Sequence, residues 1–143
     1  MTEPSLKLER SFKVKGGDYA TAGEAASKIK KILVQLGIDS EKIRRIAIAA
    51  YEAELNIIIH AYEGELYFYI DQETVKVMAA DSGPGIADIE LAMREGYSTA
   101  PEEARQMGFG AGMGLPNMKR CSDDLVINSE IAKGTTVEMS FHL

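Results

Sequence analysis

Two glycine-rich segments constrain this chain more than any other feature: DSGPGI at residues 81–86 and GFGAGMGLPNMKR at residues 108–120. Glycine lets backbone approach a ligand closely and adopt positive φ, so two such segments flanking a polar stretch predict a backbone-lined pocket under a movable cover. Phosphate suits such a pocket. Gly108, Gly110, Gly112 and Gly114 fall at every second position and run into LPNMKR, which reads as the first turns of a helix. Exposed amides and the positive end of the helix dipole would face an anion there. Glycine-rich loops can also be simple turns, and the spacing fits neither the GxGxxG fingerprint nor the GxxxxGK[ST] loop. Other residues have to decide between the two.

A long predicted helix at residues 39–62 carries the second informative pattern. With Glu52 at zero and about 100° per residue, Asn56 falls at about 40° and Arg45 at about 20°, so the three share a face. Ile43, Ile46, Ala50 and Ile57 point the other way, while Ile48, Leu55 and Ile59 flank Glu52 closely. The helix is therefore apolar on nearly all sides and is expected at the centre of the fold. Glu54, at about 200°, interrupts the apolar back face and is expected at its edge. A carboxylate and a carboxamide on such a helix lose hydration and need partners. Glu52 and Asn56 can be a solvated pair or an ion pair with Arg45. They can also be functional, with Asn56 a hard oxygen ligand to magnesium and Glu52 a group that orients or deprotonates a hydroxyl.

The flanking segments predict an α/β chain. Leu6, Leu8, Phe12 and Val14 alternate with polar residues as in a half-buried strand, which Gly16, Gly17 and Asp18 end. Asp18 is a candidate N-cap for a helix over residues 19–36, closed by Gly37. His60 ends the long helix, where an imidazole meets the negative helix end. Residues 65–70 (ELYFYI) and 74–80 (TVKVMAA) read as a hairpin, with Asp81 the first polar residue beyond it. That position suits reading a base edge. A short helix at 88–94 and a polar lid through residues 95–106 follow, then strands at 125–128 and 135–143.

The 143 residues, 45% of them apolar and 27% charged, suit a single globular domain over residues 1–143. No apolar run reaches the roughly 20 residues of a membrane span, and the polar N-terminus lacks a signal-peptide core, so a cytoplasmic protein is expected. A net charge of −6 without a basic block argues against nucleic acid as a partner. The single cysteine, Cys121, excludes an internal disulfide and reads as an inert thiol.

The order E-x-x-x-N (Glu52, Asn56), D-x-G-x-G (Asp81, Gly83, Gly85), glycine-rich lid (Gly108 to Gly114) and G-T (Gly134, Thr135) resembles the GHKL ATPase superfamily, across residues 6–142. Within it, EGYSTAPEEARQMGFGAGMGLPNMKR and SEIAKGTTVEM look like the RsbT/RsbW-type serine/threonine kinases, regulators of bacterial sigma factors. The GxGLPxxKR lid looks closer to the RsbT-like switch kinases than to the sigma-binding branch. The resemblance implies a two-layer sandwich with helices on one face of a mixed, mostly antiparallel sheet. It implies ATP and Mg²⁺ as cofactors: Asp81 accepting from the adenine amino group with Thr135 beside it, Gly83 and Gly85 beneath the base, and Asn56 on the metal. Glu52 would act on the nucleophile. The phosphates would be wrapped by backbone around Gly108, Gly110, Gly112, Met113, Gly114 and Leu115.

The implied acceptor is a hydroxyl on a STAS-type anti-sigma-factor antagonist. A sigma factor or a regulatory phosphatase is a further possible partner, and relatives in the sigma-binding branch commonly form dimers. Two other readings stay open at this point: a nucleotide-responsive binding switch with little phosphotransfer, and a plain ATPase module. Arg105 on the lid can meet a phosphate, a partner or solvent. Lys119 and Arg120 can be phosphate ligands or helix C-terminal charges.

Overall fold

The computed structural model describes residues 7–86, 88–94 and 114–143. One five-stranded sheet runs in the order β1 (Leu8–Lys15), β2 (Glu63–Ile70), β3 (Thr74–Ser82), β5 (Gly134–His142), β4 (Asp124–Glu130). Helices α1 (Glu24–Gln35), α2 (Ser40–His60) and α4 (Gly114–Cys121) cover one face, and α3 (Ile89–Ala92) is a single turn after β3. The two-layer α+β sandwich is the expected fold. Where a mixed sheet is expected, all four described pairings are antiparallel. For β1 and β2 the reason is that two helices, not one, connect them, which returns the chain to the end of the sheet where β1 stopped.

Strand alternation decides which sheet face carries the helices. Leu66, Phe68 and Ile70 of β2, Val75, Val77 and Ala79 of β3, and Val137, Met139 and Phe141 of β5 are all buried in one core with α1, α2 and α4. Their neighbours Tyr67, Lys76 and His142 point the opposite way and are exposed. Helix α2 lies centrally, with Ile43, Ile46, Ala50 and Ile57 in the main core and Leu55 and Ile59 in a smaller cluster with Tyr19, Ala22 and Tyr51. That double burial is why its sequence is apolar almost all round.

Two local expectations are corrected. The helix read from Tyr19 begins instead at Glu24, after a 3₁₀ turn at Tyr19–Thr21, and the Asp18 side chain makes no capping bond. Gly23, at φ 95°, turns the chain between the two and occupies the N-cap of α1, where it has no side chain to cap with. Glu54, expected at the edge of α2, is 2% exposed and takes over that role. Its carboxylate accepts from the amides of Gly23 (3.1 Å), Ala25 (3.2 Å) and Ala26 (3.0 Å). A carboxylate at a helix N-terminus meets both unpaired donors and the positive dipole end, so the charge is satisfied in the core. At its other end α1 closes as expected on Gly37, whose amide bonds Val34 O while that of Ile38 bonds Leu33 O.

Candidate functional site

Helix α4 runs antiparallel to α2 across the side that carries Arg45, Glu52 and Asn56. A Cβ placed on Gly114 would lie 3.1 Å from Glu52 Oε2 and 3.3 Å from Asn56 Oδ1. Glycine at 114 therefore lets the first turn of α4 sit directly against the carboxylate and the carboxamide. Asn117, one turn on, lies near enough to Glu52 to favour its charged form. The opposite side of α4, Leu115 and Met118, is buried in the core and fixes the helix in place. The side chain of Leu115 is buried, so the phosphate role that the resemblance implies for this residue is one for its backbone amide. Lys119 and Arg120 occupy the last turn of α4, about 9 Å along the axis from Gly114, which suits them as helix C-terminal charges.

Burial pushes the Glu52 carboxyl above its ordinary pKa, and the Asn117 contact only partly offsets this. Such a carboxylate is a stronger base than one in water. The sequence alternative of a Glu52–Arg45 ion pair is not found. Arg45 is about 10 Å further along the axis of α2 and pairs with Asp123 at 3.9 Å. Burial likewise raises the Cys121 thiol and keeps it protonated, in line with an inert role. His60, in the last turn of α2, is pushed below its usual pKa by burial, which favours its neutral form.

A second group of residues gathers where β3 ends. Asp81 lies within β3 rather than beyond it, half-buried, and burial raises its pKa against a bond from the Thr135 amide to Oδ1 (3.1 Å). That bond leaves Oδ2 for another donor. Gly134 makes the approach possible: its φ is 137°, and a Cβ there would collide with the Asp81 carbonyl oxygen. Gly83 packs on Ala61, and Gly85 packs on the carbonyl of Glu130. Ser129, which opens the SEIAKGTTVEM stretch but was given no role from sequence, ties these pieces together. Its Oγ accepts from Ile86 N (2.7 Å), donates to Gly134 O (3.2 Å) and contacts Thr135 Oγ1 (2.8 Å). Only hairpin register could have found it, because Ser129 is the cross-strand partner of Thr135.

The C-terminal end of α2 links the two groups. Tyr62 N donates to Ser82 O at 2.8 Å, and Ala61 lies against Gly83. From Ala61 back to Glu52 is about 14 Å along the helix, a span that an extended nucleoside triphosphate can cover. Gly108, Gly110, Gly112 and Met113, together with Arg105, lie outside the described residues. Among the described residues no cluster of three or more His, Cys, Asp or Glu side chains could cage a metal. A single hard oxygen such as Asn56 Oδ1 instead fits Mg²⁺, which keeps waters and arrives with phosphate oxygens. No helix among the described residues is long and apolar enough to cross a membrane.

Comparison with known proteins agrees with this architecture. Residues 17–141 match the family described as histidine kinase-like ATPase domain. The chain is 34% identical over 125 residues to the anti-sigma F factor of Caldanaerobacter subterraneus subsp. tengcongensis, covering 83% of each protein. It is 32% identical over 115 residues to the serine/threonine-protein kinase RsbT of Bacillus subtilis, covering 76% of this chain and 79% of that one. Among solved structures, the RsbU and RsbW domains of Rv1364c from Mycobacterium tuberculosis superpose with a TM-score of 0.61 at 16% identity, over 96% of this chain and 32% of that one. This chain thus spans about a third of that longer protein, and the likeness there is one of fold. The chain belongs to the histidine kinase-like ATPase domain family. Its relatives include both anti-sigma F factors and a serine/threonine kinase, at nearly equal identity.

Gly134→Ala offers a direct check on the Asp81 corner. The added methyl collides with the Asp81 backbone and strains the positive φ, so the Asp81–Thr135 contact should open. The expected result is at least tenfold weaker ATP binding by calorimetry, about 1.4 kcal/mol. Unchanged affinity would remove this corner from the site.

Proposed function

We propose that the chain is an ATP- and Mg²⁺-dependent serine/threonine protein kinase of a sigma-factor pathway, acting in the cytoplasm on a STAS-type antagonist protein. The observation that supports the reading is the packing of Gly114 on Glu52 and Asn56, which sets the start of α4 against a carboxylate suited to act as a base and a carboxamide oxygen suited to a metal. The family match and the names of the relatives support it.

Asp81 Oδ2 accepts from the exocyclic amine of adenine while Thr135 holds Oδ1, which favours adenine over a base presenting a carbonyl there. Backbone amides at the start of α4 face the phosphates, and Asn56 supplies one oxygen to the metal. ATP would supply the γ-phosphoryl group, and Mg²⁺ would neutralise charge on the phosphates. Glu52 orients the acceptor hydroxyl and takes its proton as the new O–P bond forms and the bond to the ADP oxygen breaks. Catalysis of this kind rests on positioning and charge more than on covalent chemistry. The test is incubation with γ-labelled ATP and the cognate STAS protein. An unlabelled partner, with nucleotide demonstrably bound, would exclude the kinase reading.

Asn56→Ala separates metal binding from the rest of the site. ATP affinity measured with magnesium should fall by about tenfold or more, while affinity in the presence of a chelator should change little. Equal losses in both conditions would deny Asn56 a metal role.

The anti-sigma F factor relatives favour one second reading, in which the nucleotide-loaded chain acts by binding a sigma factor or a phosphatase. A Glu52→Ala protein that still regulates its target would support that reading over catalysis.

A further inference from the structure

Donor and acceptor bookkeeping on α4 fixes the orientation of a side chain that neither the motifs nor the family pattern singled out. Arg120 Nη2 donates to Asn117 Oδ1 at 2.6 Å. A guanidinium has only donors, so the oxygen of the Asn117 carboxamide must face Arg120, and the NH₂ is left to face the other way. Gly114 and Asn117 are one turn apart on α4 and so share a face, and that face lies on Glu52. A carboxylate is acceptor-only, so the NH₂ of Asn117 is the atom that can serve it.

We propose that Asn117, held by Arg120, is a positioning residue for Glu52: the chain Arg120–Asn117–Glu52 sets the direction in which the carboxylate meets the acceptor hydroxyl. The inference deepens the kinase reading and rests on it. The same chain connects the base to α4, the element that directly follows the glycine-rich segment, so displacement of α4 would also release Glu52 from its aim.

Asn117→Leu keeps the shape of the side chain and removes its hydrogen bonding. It should lower kcat for phosphotransfer to the partner protein by between about tenfold and a hundredfold, with the KM for ATP and the calorimetric ATP affinity unchanged. Arg120→Met should show a smaller loss of the same type, and Arg120→Lys, which still offers a donor to Asn117 Oδ1, should restore most of it. The double variant Asn117→Leu/Arg120→Met should be no slower than Asn117→Leu alone, because Arg120 acts through Asn117. Full kcat in Asn117→Leu, or losses that add in the double variant, would overturn the proposal. A parallel fall in ATP affinity in Asn117→Leu would also do so, by showing a role in shaping the pocket. Absence of phosphotransfer in the unmodified protein would instead sink the kinase reading, a distinct outcome of the same assay.

Discussion

Glu52→Ala is expected to lower phosphotransfer to the partner protein by two to four orders of magnitude, roughly the range lost with a general base. ATP affinity should change by less than about threefold. The division follows from geometry. Glu52 sits one helical turn from Asn56 and against the first residue of α4, about 14 Å along α2 from the corner where Asp81 and Thr135 meet. With the base at that corner, as proposed, most contacts to base and ribose would be out of its reach. Glu52→Gln keeps the shape and loses the charge, so it should be nearly as slow as alanine; if it retained activity, orientation and not proton removal would be the role. Labelled-ATP transfer and calorimetry on the same preparations distinguish these outcomes, and loss of nucleotide binding in both variants would refute the assignment.

Glu54→Ala should be the most destabilising single change at a charged position among the described residues, at about 3 to 5 kcal/mol. Two buried α1 amides and that of the N-cap Gly23 lose their acceptor at once, and the glycine has no side chain to substitute. Each orphaned donor costs on the order of 1 to 3 kcal/mol, and water entering the vacated space recovers part of it. Glu54→Gln keeps one acceptor oxygen but turns an NH₂ group toward the helix amides, so about half the loss is expected. Urea unfolding measures both, and a midpoint within error of the unmodified protein would show that α1 does not depend on this contact. Because Glu54 faces α1 and Glu52 faces α4, the two effects should separate cleanly: one variant loses stability, the other turnover.

The contrast between Glu52 and Glu54 also marks how far sequence reading reaches. Helical periodicity alone put Glu52, Asn56 and Arg45 on one side of α2, since 3.6 residues per turn is a property of the backbone. It misjudged Glu54, because burial of a carboxylate depends on whether another element brings donors to it, and those donors are 28 to 31 residues away in the chain. The same limit applied to α1. Its apolar face was legible, but its start was not, since nothing local to Tyr19 reveals that Gly23 turns the chain. Ser129 and Asn117 were passed over for a related reason: one acts through hairpin register, and the other through the approach of α4 to α2.

By itself the sequence determined the class of fold, the helical face bearing Glu52 and Asn56, and the family pattern, because short-range periodicity and glycine's missing Cβ act within a few residues. Tertiary structure alone decided which oxygen each amide reaches. It brought Thr135 to Asp81 across 54 positions and Gly114 to Glu52 across 62, since close approach is set by the packing of whole elements.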